Sequence, residues 1–264
     1  MNLMKILVII VIVFLPLQVC AQPSDITLEK ETKESVSFKG RVDLDDDGHL
    51  DNIQVWFLNI GEEFGNERFV VEVNRASMVC WGTSLNIDVK IVDIDSKDQY
   101  REIAISERGP SDDHATYYFR FIAGDLKMIG KVPTSPWFEQ DVDGSGEIKT
   151  KNRGKILHTW FYPCTFRYDY ISNELREVRN GPIIMNTPVT LKVDLEVRQS
   201  PVRDGIAGVI KKGEKATILD TNDIVWCKIR SESGVEGYFS VGGGKIIEKG
   251  MWGGDVFDGL SFAD

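Results

Sequence analysis

Aspartates recur at positions 1, 3, 5 and 9 of one short segment: Asp43, Asp45, Asp47 and Asp51, with Gly48 at position 6. On a turning backbone this alternation aims several carboxylates at one point. Calcium is a hard cation that takes six to eight oxygen ligands at about 2.3–2.6 Å. Gly48 permits the sharp reversal, and the main-chain carbonyl of His49, at position 7, offers a further oxygen. Carboxylates that converge without a cation repel one another. The competing reading is an acidic turn held open by solvent. Asp43, Asp45, Asp47, His49 and Asp51 are therefore the candidate ligands, and calcium is the expected ion.

Two partial echoes follow. Asp93, Asp95 and Asp98 precede the apolar run Ile103–Ile105, and Asp141 and Asp143 precede Glu147-Ile148. The three segments start 50 and then 48 residues apart, a spacing typical of repeated β units. The second carries Lys97 at position 5, and the third carries Lys149 at position 9. Asp93, Asp95 and Asp98 are a possible second metal site, whereas Asp141 and Asp143 read as a tight hairpin turn.

Residues 41–57, Arg-Val-Asp-Leu-Asp-Asp-Asp-Gly-His-Leu-Asp-Asn-Ile-Gln-Val-Trp-Phe, resemble the FG-GAP or VCBS-type repeat. The resemblance implies a calcium loop between strands of a β-propeller blade. Three units fall short of the four or more blades of a closed propeller, so a compact β domain is the other expectation. The segment departs from an EF-hand, because Gln54 stands at position 12 where a glutamate would be.

The elements that must carry these loops read as strands. Ile53, Val55 and Phe57 alternate with Gln54, Trp56 and Leu58. Further strands are expected over 68–73, 85–94, 102–105, 116–122 and 159–167. After residue 21 nothing sustains a 3.6-residue apolar period over three turns, so little helix is expected.

A second unit follows Asn180-Gly181-Pro182. Leu195-Glu196-Val197-Arg198-Gln199-Ser200-Pro201 resembles the opening of a bacterial Src-homology-3-like domain. Val209 to Gly213, Lys215 to Leu219, Trp226 to Ile229 and Gly237-Tyr238-Phe239 follow in that family's order. The resemblance implies a small β-barrel that binds cell-wall peptides or other extracellular ligands, with Arg198, Trp226 and Tyr238 as candidate contacts. Structural packing is the alternative for Trp226, and a structural partner for Arg198. The expected fold is thus mainly β: a propeller-blade-like or compact domain over 35–183, then an SH3-like barrel over 187–248. Residues 22–34 read as a polar linker, and 249–264 as a tail that either caps a core or hangs free.

Lys5, the apolar run from Ile6 to Leu17 and the small residues near Ala21 read as an export signal over 1–21. The run is shorter than the roughly 20 residues of a membrane span, so no stable span is expected after cleavage. The location expected is extracellular, periplasmic or at the cell surface. Loss of Cys20 leaves Cys80, Cys164 and Cys227. Cys80 and Cys164 are the likelier disulfide partners, and Cys227 reads as a small buried hydrophobe. The net charge of −10 argues against nucleic acid, which needs clustered Lys and Arg. Only His49, His114 and His158 are available as imidazole bases, and no nucleophile stands beside one in a recognisable pattern. A non-catalytic binding protein with a cell-wall peptide or glycan partner is the leading expectation. A cell-wall or polysaccharide hydrolase is the alternative.

Overall fold

The computed structural model describes residues 29–33, 35–59, 67–82, 87–108, 114–134, 140–202 and 205–262. The expected signal segment lies outside them. The chain is mainly β, and the described residues contain one short helix.

The first three sheets are antiparallel meanders whose strands pair in chain order. The first comprises β1 (Glu29–Lys33), β2 (Ser35–Val42), β3 (Asp51–Asn59), β4 (Glu67–Val73) and β5 (Ala76–Trp81). The second comprises β6 (Ile87–Val92), β7 (Glu102–Arg108), β8 (His114–Ile122) and β9 (Asp125–Pro133). The third comprises β10 (Asp141–Val142), β11 (Glu147–Arg153), β12 (Phe161–Asp169) and β13 (Glu174–Glu177). Residues 29–33, expected within the polar linker, instead pair with β2 at the edge of the first sheet.

The sheets stack face to face. Alternate residues of the first sheet, among them Val55, Phe69 and Val71, pack against Ile103, Ile105 and Phe119 of the second. The Phe69 ring meets Tyr117 edge-on at 5.1 Å. From the opposite face of the second sheet, Ala104, Tyr118 and Ile129 pack against Ile148, Tyr162 and Phe166 of the third. The middle sheet is therefore covered on both faces, which explains why Ala115 to Phe121 is buried without a break along β8. Truncating one of these buried aromatics would cost about 3–5 kcal/mol.

This layering separates two of the cysteines. Cys80 belongs to the first core and Cys164 to the core on the other side of the second sheet. All three described cysteines are free and buried, so the expected Cys80–Cys164 disulfide does not form. Cys227 is a fully buried hydrophobe, as expected.

The fourth sheet contains β14 (Ile183–Leu191), β15 (Leu195–Arg198), β16 (Ile206–Ile210), β17 (Lys215–Thr221), β18 (Trp226–Ser231) and β19 (Glu236–Gly242). It continues through β20 (Lys245–Ile246), β21 (Met251–Trp252), the helix α1 (Gly253–Val256) and β22 (Phe257–Asp258). The strand order β16-β15-β19-β18-β17-β14-β22 is an open path. Among the described residues the two ends of that path do not pair, so the expected barrel is not closed.

The tail caps the core: Val256 and Phe257 are buried in it, and β22 pairs with β14 through Leu191 and Phe257. Ile156 and Leu157, from the connection before β12, also enter this core. The fourth sheet thus draws on residues well outside 187–248. Strand β14 was hidden in the sequence by Pro188 and by an irregular register between Ile184 and Thr187.

Candidate functional site

Each acidic segment joins two consecutive antiparallel strands of its own sheet: β2 to β3, β6 to β7 and β10 to β11. They are also tied together in space. Arg101 reaches the first loop, its amide donating to the Leu44 carbonyl (2.8 Å) and its Nη1 to the Asp43 carbonyl (2.9 Å). The Ser96 amide donates to the Gly144 carbonyl (3.0 Å), and the Gly146 amide to the Ile94 carbonyl (2.7 Å).

In the first loop, Asp46 and Gly48 adopt positive φ values of 55° and 85°, which turns the backbone back on itself. Leu44, fully buried, anchors the loop to the first core. The Asp43 carboxylate accepts from the amides of Asp47 (3.2 Å) and Gly48 (2.9 Å). Asp51 accepts from the Leu44 amide (3.0 Å) and from Asn74 Nδ2 (2.7 Å).

These contacts leave one carboxylate oxygen each of Asp43, Asp45 and Asp51 within 4.8 Å of one another. Asp47 turns away and accepts from the His49 amide (2.8 Å), with the exposed His49 imidazole beside it. Partial loss of water, then the charges of Asp47, Asp51 and Asp43, raise the Asp45 pKa above the ordinary aspartate value. An all-oxygen donor set under mutual repulsion fits a hard divalent cation such as calcium. Asp47 stays close enough for its charge to act on Asp45.

The second loop is arranged differently, and the structure does not bring Asp93, Asp95 and Asp98 to one point. Asp95 accepts from the Tyr170 hydroxyl, which lowers its pKa. Asp98 pairs with Arg120 Nη1 at 3.0 Å. Asp93 Oδ1 is buried without a hydrogen-bond partner.

The position matching Asp51 is held by Glu102, whose carboxylate accepts from the Ile94 amide (3.0 Å) as Asp51 accepts from Leu44. Arg120, its side chain 2 % exposed, donates to Glu102 through Nε (2.7 Å) and Nη2, and stacks 4.1 Å from the Tyr168 ring centroid. Burial pushes Glu102 up to about 7 against the pull of Arg120. Sequence spacing concealed Glu102 because this loop is one residue longer than the first. The signal for Arg120 was a charge inside the apolar run of β8.

The third loop is the expected hairpin. Asp141 faces Lys149 across β10 and β11, Asp143 accepts from the Ser145 amide (3.0 Å), and Lys149 Nζ lies 3.6 Å from Asp143.

On the fourth sheet, Arg198, Trp226 and Tyr238 come together on the face opposite the core. Their strand neighbours Val197, Cys227 and Phe239 are buried. The rings of Trp226 and Tyr238 meet edge-on at 5.3 Å. Arg198 is the cross-strand neighbour of Tyr238, and its Nε lies 3.5 Å from Glu248. Lys228 stands 5.7 Å from the Tyr238 ring and pairs with Glu236 at 2.7 Å. Trp226 is therefore half-buried in a surface cluster and lies outside the core.

Residues 193–243 match the bacterial SH3 domain family, and the match falls within the fourth sheet. No curated protein and no solved structure matches the chain.

Proposed function

We propose that this is an exported, non-catalytic binding protein whose SH3-type unit takes cell-wall peptides or glycans, or another extracellular ligand. Calcium pins the first acidic loop. The observation that carries this reading is the clustering of Arg198, Trp226 and Tyr238 on the outer face of the segment that matches the bacterial SH3 family.

Two aromatic rings meeting edge-on present flat apolar surface with polar edges, and a guanidinium beside them suits a carboxylate. A ligand carboxylate would share Arg198 with Glu248, which is itself fixed by accepting from the Ser240 amide. Burial pushes the thiols of Cys80, Cys164 and Cys227 up to about 11, 12 and 12, which disfavours the thiolate a cysteine nucleophile needs.

In the calcium part of the reading, Asp43, Asp45 and Asp51 supply the carboxylates, and the bound ion removes their mutual repulsion. A pull-down on purified peptidoglycan, with calcium and with chelator, tests both parts. Retention of the wild type and its loss in Trp226→Ala and Arg198→Ala are expected. Equal retention of all three proteins would remove the assignment of this face.

A further inference from the structure

A cleft of about 1200 Å³ opens where the second and third sheets meet the fourth. The start of β8 and the end of β9 form one wall, residues 152–159 the floor, and Gly243, Gly244 and Trp252 the other wall. Close approaches shape it. A Cβ on Gly154 would lie 2.0 Å from the Trp160 ring, and one on Gly244 would lie 2.5 Å from the Trp252 ring. The indole of Trp252 thus packs against Gly244, with Lys245 Nζ 5.4 Å from the ring centroid, and is 57 % exposed at the cleft.

Two features of this lining stand apart from the rest of the surface. In a chain of net charge −10, the described lining carries Lys131, Arg153 and Lys155 and no aspartate or glutamate. It also carries a buried polar atom without a partner, Nδ1 of His114, whereas the His158 ring is engaged by the main chain of Ser261 and Thr159. Buried polar atoms are normally hydrogen-bonded, so this nitrogen marks a place where a ligand completes the network.

The partners already present limit what each cation contributes. Lys131 donates to the Tyr117 hydroxyl (2.8 Å) and lies 3.6 Å from Glu107. Arg153 donates to Thr159 Oγ1 (3.3 Å). The main-chain amide of Lys155 is held by Asp223, while Lys155 itself is exposed.

We infer that this cleft is a second ligand site, separate from the Arg198–Trp226–Tyr238 face, and that it takes an acidic saccharide. The ring lies on Trp252, its carboxylate meets Arg153 and Lys155, and a hydroxyl meets His114. A hydroxyl suits His114 because it can answer an imidazole nitrogen either as donor or as acceptor. Inorganic phosphate has no ring to lie on the indole and gains only the cations. An exposed indole offers a wide apolar plane for the C–H face of a sugar ring. The inference does not depend on the SH3-type face binding anything.

Calorimetric titration of the full chain tests it, with a galacturonic acid trisaccharide, its fully methyl-esterified form and inorganic phosphate as probes. The acid is expected to bind, and the ester to bind at least about tenfold more weakly through loss of the charge-assisted contacts. Phosphate should show no comparable affinity. Trp252→Ala and Lys155→Gln should each weaken the acid by about tenfold or more. Lys155→Gln, at an exposed position, provides the arm in which the fold is not in question. Arg198→Ala/Trp226→Ala should bind the acid as the wild type does, so failure of this site and failure of the SH3-type face are read separately. Absence of acid binding, equal binding of the ester, phosphate binding as tight as the acid, or unchanged affinity in both cleft variants would each overturn the inference.

Discussion

In the first loop Asp43, Asp45 and Asp51 converge, and among the described residues no Lys or Arg nitrogen pairs with their carboxylates. In the second, the guanidinium of Arg120 lies between the half-buried Asp98 and the fully buried Glu102. The backbone arrangement is shared: in both loops a fully buried aliphatic residue, Leu44 or Ile94, donates its amide to the carboxylate that opens the next strand. The third loop uses an exposed Lys149 against Asp143. One repeated turn thus carries its acidic charge in three ways. A cation supplied by the chain is always present, whereas one taken from solution makes stability depend on ion concentration.

The largest expected effect breaks the built-in cation. Arg120→Ala leaves Glu102 buried and unpaired and should cost about 3–5 kcal/mol in denaturant unfolding. Adding Glu102→Gln should recover part of that loss. Arg120→Lys should not restore the wild type, because an ammonium cannot donate in the same fork or stack on Tyr168. A near-neutral Arg120→Ala would show that the second loop does not need its guanidinium.

The next effect concerns the first loop. At a calcium concentration of about one hundred times Kd, binding to the folded state alone adds about 2.7 kcal/mol. Melting followed with calcium and with chelator should show a shift of several degrees in the wild type. Asp45→Asn should show none. Identical responses in the two proteins would dispose of the metal assignment.

The link between the loops comes third. Arg101→Ala removes the bond to the Asp43 carbonyl, a loss of about 1 kcal/mol, and should weaken calcium binding in a chelator competition. Unchanged affinity would mean that the two loops are neighbours without coupling.

The smallest effect is a control outside both loops. Hydrogen bonds from the Ser233 side chain, then from the Lys211 amide, the Ser231 side chain and the Ser233 amide, lower the Glu214 pKa to about 2. A carboxyl group whose folded pKa lies below its unfolded value stabilises the fold above the unfolded value near 4.5. That contribution is lost as pH falls toward 2. Glu214→Gln should melt slightly earlier than the wild type at pH 6, and the difference should close by pH 2. A difference that persists at pH 2 would contradict this sign.

Much of this was legible where one physical signal dominated. The alternation of Ile53, Val55 and Phe57 gave β3, and the ordered elements from Leu195 to Phe239 gave the matched family. Strands β5 and β9 were not read, because edge exposure and mixed residues blur their period: β9, for example, buries only Ile129 and Val132. At the candidate metal site, the spacing of Asp43, Asp45 and Asp51 was readable because all three lie on one loop. Arg120 and Glu102 meet across two strands and eighteen positions. The cleft draws on residues between His114 and Phe262, which only the packing of the sheets brings together.

The pairing of Leu191 with Phe257, and the burial of Val256 beside it, also bear on the order of events during synthesis. The fourth core needs a strand made far downstream of the one it covers. While the ribosome is still short of residue 257, β14 waits with an open flank and Leu191 has no cover on that side. The stacked meanders face no such wait, because each pairs strands in the order they are made. The first sheet can therefore assemble early, whereas the segment that matches the SH3 family must linger unsealed until the chain beyond it has been produced.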